Sequence, residues 1–333
     1  MENPRCFKRV LITGIAGSGG SYLAEYILRE QPGVAVHGTT RWHSTTSARN
    51  LETIGREISV HECDLLDFSS VLRVLLAVQP DVIFHLASFA NVRAAFETPI
   101  AVYQNNVMAT MNLLEATRSA EINPLIQLCS SSEVYGQADA DQIPIREDCP
   151  MRPNNPYAAS KAAQDVLGHA YWKSYGLKVV RTRMFTYFNP RRHDLFATAF
   201  ALQVARVEAG LQDTLRHGNL QSRRTIIDVR DAVMAYWVAA ERGEVGEVYN
   251  IGGDNEVMVG TVLESLKARA KRDIPSREDP TLLRPVDLVS QTPDSTKFRA
   301  TTGWAPQLEL DASIDILLSS CRLVVQDEMA RRK

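Results

Sequence analysis

The sequence predicts an α/β fold: a doubly wound parallel sheet carrying a smaller, discontinuous C-terminal lobe. Three observations lead to it. Short β-branched runs alternate with longer stretches of helical apolar spacing through the first half of the chain. A glycine cluster, Gly14-Ile15-Ala16-Gly17-Ser18-Gly19-Gly20, directly follows the first of those runs. The run Asp81-Val82-Ile83-Phe84-His85-Leu86 is nearly all apolar, as a strand buried on both faces must be. Together these describe a Rossmann-like arrangement.

Taken in order, strands are expected at 9–13, 34–39, 57–61, 81–86, 124–129 and 178–184. Apolar residues at helical spacing mark helices at 19–30, 67–78, 99–120 and 156–175. After about residue 185 the pattern loosens. Proline and basic residues gather at 190–193, and 273–293 is rich in Pro, Asp and Arg. Helices return at 195–210, 229–241, 257–270 and 309–323. The expected division is a dinucleotide-binding unit of 1–184 plus about 225–254. A second lobe of about 185–224 and 255–333 then lies over the carboxyl ends of the strands.

Bulk composition narrows the function classes. The 333 residues are 45% apolar, enough for a sizeable core. A net charge of −2, from 39 acids and 37 bases, implies no whole-chain attraction to nucleic acid or to a membrane surface. The five cysteines are widely spaced without a C-x-x-C pair, so neither a disulfide framework nor a zinc site is suggested. A reducing cytoplasm is the expected compartment. The first apolar run begins at residue 9, and no targeting segment is expected before it. No stretch approaches the ~18 apolar residues of a membrane span, and a soluble protein is expected.

The glycine loop is the first chemical signal. Gly14, Gly17 and Gly20 allow a tight turn and let backbone N–H groups approach a pyrophosphate, with Ser18 and Gly19 opening the helix that follows. The spacing is G-x-x-G-x-x-G, a variant of the usual fingerprint. An acid at the end of the second strand would suit NAD, through the ribose 2′-hydroxyl. This strand ends Gly38-Thr39-Thr40-Arg41, with Ser44 and Arg49 nearby. Arg41 and Ser44 suit a 2′-phosphate, so NADP is favoured over NAD. Asp64 and Leu65, after the third strand, are placed to meet adenine.

The second signal is Tyr157-Ala158-Ala159-Ser160-Lys161, behind Asn155 as a helix cap and Pro156 in the first turn. Tyr157 and Lys161 share one helical face, and a nearby ammonium is expected to lower the phenol's pKa for proton exchange with a substrate hydroxyl. The fifth strand ends in Ser130-Ser131-Ser132-Glu133-Val134-Tyr135-Gly136. Polar residues at a strand's carboxyl end belong to the ligand crevice of this architecture. Alone, the Tyr/Lys pair is weak and the serines are an ordinary turn; their order along the chain makes them specific.

On these motifs, with His85-Leu86-Ala87-Ser88, the chain resembles the extended short-chain dehydrogenases/reductases that act on nucleotide sugars. The resemblance spans nearly all 333 residues. It implies Ser131, Tyr157 and Lys161 as the catalytic trio, and Leu86 and Ala87 as part of the cofactor floor. Segment 17–25, loop 41–51 and Asn189-Pro190-Arg191-Arg192 look like GDP-mannose 4,6-dehydratases. The stretch from Gly218-Asn219-Leu220 to Arg230-Asp231 is shared with GDP-4-keto-6-deoxymannose reductases, as is Leu283-Arg284-Pro285. Arg224 and Arg284 match arginines that hold the nucleotide diphosphate, and Ser132, Thr186 and Asn219 join them as substrate contacts.

The resemblance therefore implies a dehydratase with NADP as an internal hydride shuttle, forming a 4-keto-6-deoxy sugar from a GDP-linked substrate. Glu133 is the residue dehydration adds, a carboxylate for the C5 proton and the C6 hydroxyl. A reductase or a 4-epimerase on the same scaffold is the alternative, needing only Ser131, Tyr157 and Lys161. An intact set of four catalytic-type residues argues against a scaffolding protein that merely kept the fold. The chain departs from its relatives at Phe185-Thr186-Tyr187, where they carry Phe-Asn-His, and at Thr225 and Ile226, where they carry Asp and an aromatic. The resemblance also implies a homodimer built on helices 99–120 and 156–175, and loop 41–49 resembles one that joins such dimers into a homotetramer.

Overall fold

The computed structural model describes residues 4–42, 48–283 and 287–332. Ser44 and Arg284 lie outside the described residues. The first half contributes β1 Arg9–Thr13, β2 Ala35–Thr40, β3 Ile58–Glu62, β4 Val82–His85, β5 Leu125–Ser131 and β6 Lys178–Met184. The second half adds short strands: β7 Tyr187–Phe188, β8 Leu215–His217, β9 Arg223–Thr225, β10 Ile227–Asp228, β11 Val248–Ile251, β12 Glu256–Met258, β13 Ser276–Glu278 and β14 Ser290–Gln291. Among the described residues one parallel sheet of seven strands runs β11-β6-β5-β4-β1-β2-β3. The strand order reverses between β1 and β4, and the crevice that opens at such a switch point is where this fold takes ligands.

Helices cover both faces of the sheet. They are α1 Ser18–Glu30, α2 Phe68–Val78, α3 Val92–Glu97, α4 Pro99–Tyr103, α5 Ala109–Ser119, α6 Pro156–Tyr175, α7 Phe196–Glu208, α8 Val229–Arg242, α9 Val259–Ala268, α10 Thr296–Thr302 and α11 Leu310–Arg332. One apolar layer joins α1 and α8 to the sheet through Leu23, Ile27, Val233 and Trp237. The opposite layer joins α2, α5 and α6 through Val71, Leu75, Leu113 and Tyr171. A separate core of Phe200, Leu263, Leu317 and Leu318 packs α7, α9 and α11 together. No described helix is long and apolar enough to cross a membrane.

The short strands β7–β10 and β12–β14 and the helices α3 and α10 were not expected from the sequence, and two further differences each centre on a buried asparagine. The predicted helix 99–120 is three pieces, with a π-helical turn, Gln104–Met108, between α4 and α5. Asn106 in that turn is wholly buried, and its amide is hydrogen-bonded to the loop after β4 and to α6. One buried polar hub leaves the apolar spacing along 99–120 readable as a single helix, so the π turn does not show in that pattern. The edge strand β11 was not expected, because four residues including a buried Asn250 are too few to show an alternation.

The most charged feature of the interior lies under α6. Asp165 is fully buried, 3.0 Å from Arg181 Nη1 and 2.8 Å from Arg183 Nε, both on β6. Arg183 also donates to Tyr135 Oη at 2.7 Å, and that hydroxyl donates to Asn250 Oδ1 of β11 at 2.7 Å. Burial pushes the Asp165 carboxyl up, but the two guanidinium groups outweigh it and hold it below its ordinary value. The stability it contributes is therefore present above the unfolded value of about 3.9 and is lost as pH falls through the lower folded value. An Asp165→Asn variant leaves two buried cations unpaired and should lose about 3–5 kcal/mol. Urea denaturation near neutral pH checks this, and the variant should lack this part of the wild type's loss of stability in acid.

Candidate active site

One cleft of about 650 Å³ runs along the carboxyl ends of the strands and under the C-terminal lobe. That is within the usual range of small-molecule sites, roughly 300–1,000 Å³. Its glycine end is built by steric need. Gly14 has φ +69°, and a Cβ there would lie 3.0 Å from Ala87 Cα. A Cβ on Gly20 would lie 2.5 Å from the Gly14 carbonyl oxygen and 2.9 Å from Ile15 Cα. The loop thus packs backbone against backbone. Gly17 caps α1 without a side-chain hydrogen bond, so the helix's leading N–H groups face the cleft uncapped by any side chain. Ser18, Gly19, Arg41, Asp64, Leu65 and Leu86 line the same end.

The catalytic-type residues meet at the centre. Asn155 accepts from Ala158 N at 2.8 Å, capping α6, while its side-chain N–H donates to Glu133 Oε2 at 3.0 Å. One residue therefore starts the helix bearing Tyr157 and holds the carboxylate of Glu133. Ser131 ends β5 and accepts from Glu133 N at 3.2 Å, opening a short 3₁₀ turn over Ser132–Tyr135. Gly136 closes that turn at φ +61°, pressed against the Arg152 carbonyl. Ser131, Glu133, Tyr157 and Lys161 all line the cleft.

Behind them runs a buried polar chain. Thr110 donates to the Asn106 carbonyl at 2.7 Å and lies 2.9 Å from His85 Nε2. With its own proton spent, Thr110 must accept from His85, which puts the imidazole proton on Nε2. His85 Nδ1 then accepts from Thr13 Oγ1 at 2.9 Å, and Thr13 in turn accepts from Ala87 N at 3.2 Å. Burial pushes the His85 pKa down to about 3, so the ring is neutral. Asn106 extends the chain to α6: its amide donates to Ser160 Oγ at 2.8 Å, and Ser160 donates to the Tyr157 carbonyl at 2.7 Å.

The electrostatics of Tyr157 differ from the sequence expectation. Burial raises its phenol pKa, and the groups that pull it back are the Arg192 guanidinium and a hydrogen bond with Ser131. Lys161 Nζ donates to the Cys129 carbonyl, and burial lowers its own pKa. The cation that biases the phenol is thus Arg192, held by the Ala90 carbonyl at 2.6 Å and by Asp194 at 3.1 Å. Its neighbour Arg191 anchors the segment on α1, donating to Ser21 Oγ at 2.9 Å and Glu25 at 2.6 Å and stacking over Tyr22. The Asn189-Pro190-Arg191-Arg192 motif was visible in the sequence; its position against Tyr157 was not.

The lobe end carries Thr186, Asn219 and Arg224 in the cleft wall. Arg224 is buried and donates to the Leu288 carbonyl at 3.0 Å, with Asp287 at 3.7 Å. Asn219 donates to Asp287 at 2.9 Å. Ser132, expected to face substrate, spends its hydroxyl on Gln291 Oε1 at 3.2 Å. Tyr187 and Gln291 also line the cleft and were not singled out as site residues by the sequence. Every described residue expected at the site lies along this cleft. Among the described residues no group of three or more His, Cys, Asp or Glu could hold a metal ion.

Known proteins resemble the whole chain. The family model described as GDP-mannose 4,6 dehydratase matches residues 11–317. A GDP-6-deoxy-D-mannose reductase of Pseudomonas aeruginosa is 30% identical over 323 residues, covering 96% of this chain and 99% of that one. A GDP-mannose 4,6-dehydratase of Yersinia enterocolitica is 30% identical over 348 residues, covering 91% of each. The solved structure of RMD from Pseudomonas aeruginosa complexed with NADPH superimposes with a TM-score of 0.81 at 27% identity, over 95% of this chain and 99% of that one. With a match across nearly its full length and the family's glycine loop and Tyr/Lys helix meeting in one cleft, the chain belongs to the GDP-mannose 4,6-dehydratase family.

Proposed function

We propose that the protein is a nucleotide-sugar 4,6-dehydratase that removes water from GDP-mannose and uses NADP as its bound cofactor. The observation that carries this reading is Glu133, a carboxylate held by Asn155 beside Ser131 and Tyr157. Hydride exchange at C4 needs no such group, whereas elimination across C5 and C6 does.

The cofactor reading rests on the glycine end. Bare backbone at Gly14 and Gly20, and a helix N-terminus capped by no side chain, fit a pyrophosphate. Arg41 lines the cleft at the end of β2, where no acid stands to repel a 2′-phosphate. NAD is the alternative. A bound nicotinamide supplies the hydride acceptor and donor. Tyr157 and Ser131 then hold the sugar's O4 and take its proton, with Lys161 on the ribose side. Glu133 would take the C5 proton and deliver it to the departing C6 hydroxyl, and the C5=C6 bond so formed would take the hydride back at C6 and, at C5, a proton in place of the one that left O4. Residues 1–184 with about 225–254 form the dinucleotide unit, and about 185–224 with 255–333 form the nucleotide-sugar lobe. There Thr186, Asn219, Arg224 and Arg284 hold the substrate.

The relative named as a reductase supports a second reading: reduction of GDP-4-keto-6-deoxymannose with NADPH. A 4-epimerase is the further alternative. A homodimer is proposed on the face formed by α4, α5 and α6, where Ile100, Tyr103, Met108, Met111 and Val166 are exposed apolar residues. A homotetramer through loop 41–49 is the larger assembly, and residues 43–47 of that loop lie outside the described residues. All five cysteines are free, which suits the cytoplasm.

Mass spectrometry of GDP-mannose incubated with the purified protein tests the reading. Loss of one water without net cofactor change is expected; no loss from GDP-mannose, with gain of two hydrogens by the 4-keto-6-deoxy sugar and NADPH, identifies the reductase. A Glu133→Gln variant should stop water loss while C4 oxidation continues, and unchanged turnover removes Glu133 from the mechanism. Arg192→Met removes the cation that lowers the Tyr157 pKa, so the acidic limb of the pH–rate profile should move to higher pH. Gly20→Ala should weaken cofactor retention at least about tenfold, since the new Cβ needs space the loop backbone fills. Gly33→Ala serves as the control: φ is +87° with open space around it, so it costs about 1–2 kcal/mol of stability and leaves the cofactor bound.

A further inference from the structure

Gln291 does more than line the cleft. It lies on β14, 2% exposed, in register with Arg224 of β9. Its carboxamide oxygen accepts from Ser132 Oγ at 3.2 Å, and its side-chain nitrogen donates to the Ser132 carbonyl at 3.2 Å. Both polar handles of one residue are thus gripped by one side chain 159 positions away. Ser132 stands between Ser131 and Glu133, so whatever fixes Ser132 fixes the two groups on either side. The segments around it are stitched as well: Ile145 N donates to the Thr292 carbonyl at 2.8 Å, and Val289 N to Gln137 Oε1 at 2.8 Å. Those contacts bring β14 close; Gln291 reaches the catalytic turn itself.

We propose that Gln291 is a positioning residue, which sets the turn carrying Ser131 and Glu133 and ties it to the strand that carries Arg224. The seat for the diphosphate and the seat for the sugar are thereby held in one register by a side chain that touches neither reacting carbon. This rests on the dehydratase reading for the roles of Ser131 and Glu133, but not for the contact itself. The physical cause is the cost of leaving either Ser132 group unpaired in a buried site, which a double hydrogen bond removes.

The test uses the full chain with its cofactor and the isosteric Gln291→Met variant, which keeps length and loses both hydrogen bonds. Turnover of GDP-mannose should fall about tenfold in kcat with KM changed less than about twofold, the mark of a group that acts on the transition state alone. Amide hydrogen exchange of residues 130–136, measured without substrate, should quicken at least about tenfold while the β1–α1 loop is unchanged. Ser132→Ala, which keeps the bond to the Ser132 carbonyl, should give a smaller kcat loss, and the double variant should be no worse than Gln291→Met alone. A raised KM at constant kcat makes Gln291 a direct substrate contact and overturns the proposal. So do additive effects of the two substitutions, or unchanged exchange. If the wild type removes no water, the dehydratase reading fails, and the exchange measurement still decides whether Gln291 holds the turn. Should Gln291→Met not fold, Ser132→Ala carries the same kinetic and exchange comparison.

Discussion

The neutrality of His85 is the constraint on which the site depends. The ring sits at the end of the central strand β4, wholly enclosed, with Thr13 on one side and Thr110 on the other. As a neutral imidazole it donates from one nitrogen and accepts at the other, so the threonine below the glycine loop is joined to the helix bearing Asn106. A protonated ring would donate from both nitrogens and leave Thr13 with donors on two sides and no acceptor for its own proton. Burial and the nearby Lys161 prevent this by pushing the pKa down to about 3. The glycine loop and α6 are therefore held in one frame through a neutral imidazole.

From that frame the chemistry follows by subtraction. Burying a phenol raises its pKa, so Tyr157 needs a compensating charge to exchange a proton near neutral pH. Lys161 is turned toward the Cys129 carbonyl, and Arg192 carries that charge. Arg192 reaches the site because Arg191, on the same segment, is pinned to α1 by Ser21 and Glu25. Glu133 depends on a different support, the amide of Asn155, which also starts α6. Tyr157 and Glu133 thus stand on separate supports that meet in one helix turn.

Much of this was legible in the chain before any tertiary structure. Six strands, the glycine loop and the helix behind Asn155 and Pro156 are local features, each written within a few residues by branching, periodicity or capping. The same holds for Ser131, Glu133, Tyr157 and Lys161, whose strand-end and helix-face positions put them in the crevice of any doubly wound sheet. The π turn at Gln104–Met108 and the strand β11 were not legible. Each owes its form to buried asparagines, Asn106 and Asn250, whose partners lie far along the chain.

By itself, then, the sequence determined a parallel sheet with its glycine loop, the family, and the polar side chains that line the cleft, because each is encoded by neighbours a few positions apart. Only the tertiary structure decided which cation biases Tyr157, where the Ser132 hydroxyl is spent, and how the C-terminal lobe grips the catalytic turn. Those outcomes rest on the charge of Arg192 acting on Tyr157 and on the hydrogen bonds between Gln291 and Ser132. A hydrogen bond or an ion pair reads distance in space, which periodicity and spacing along a chain do not carry.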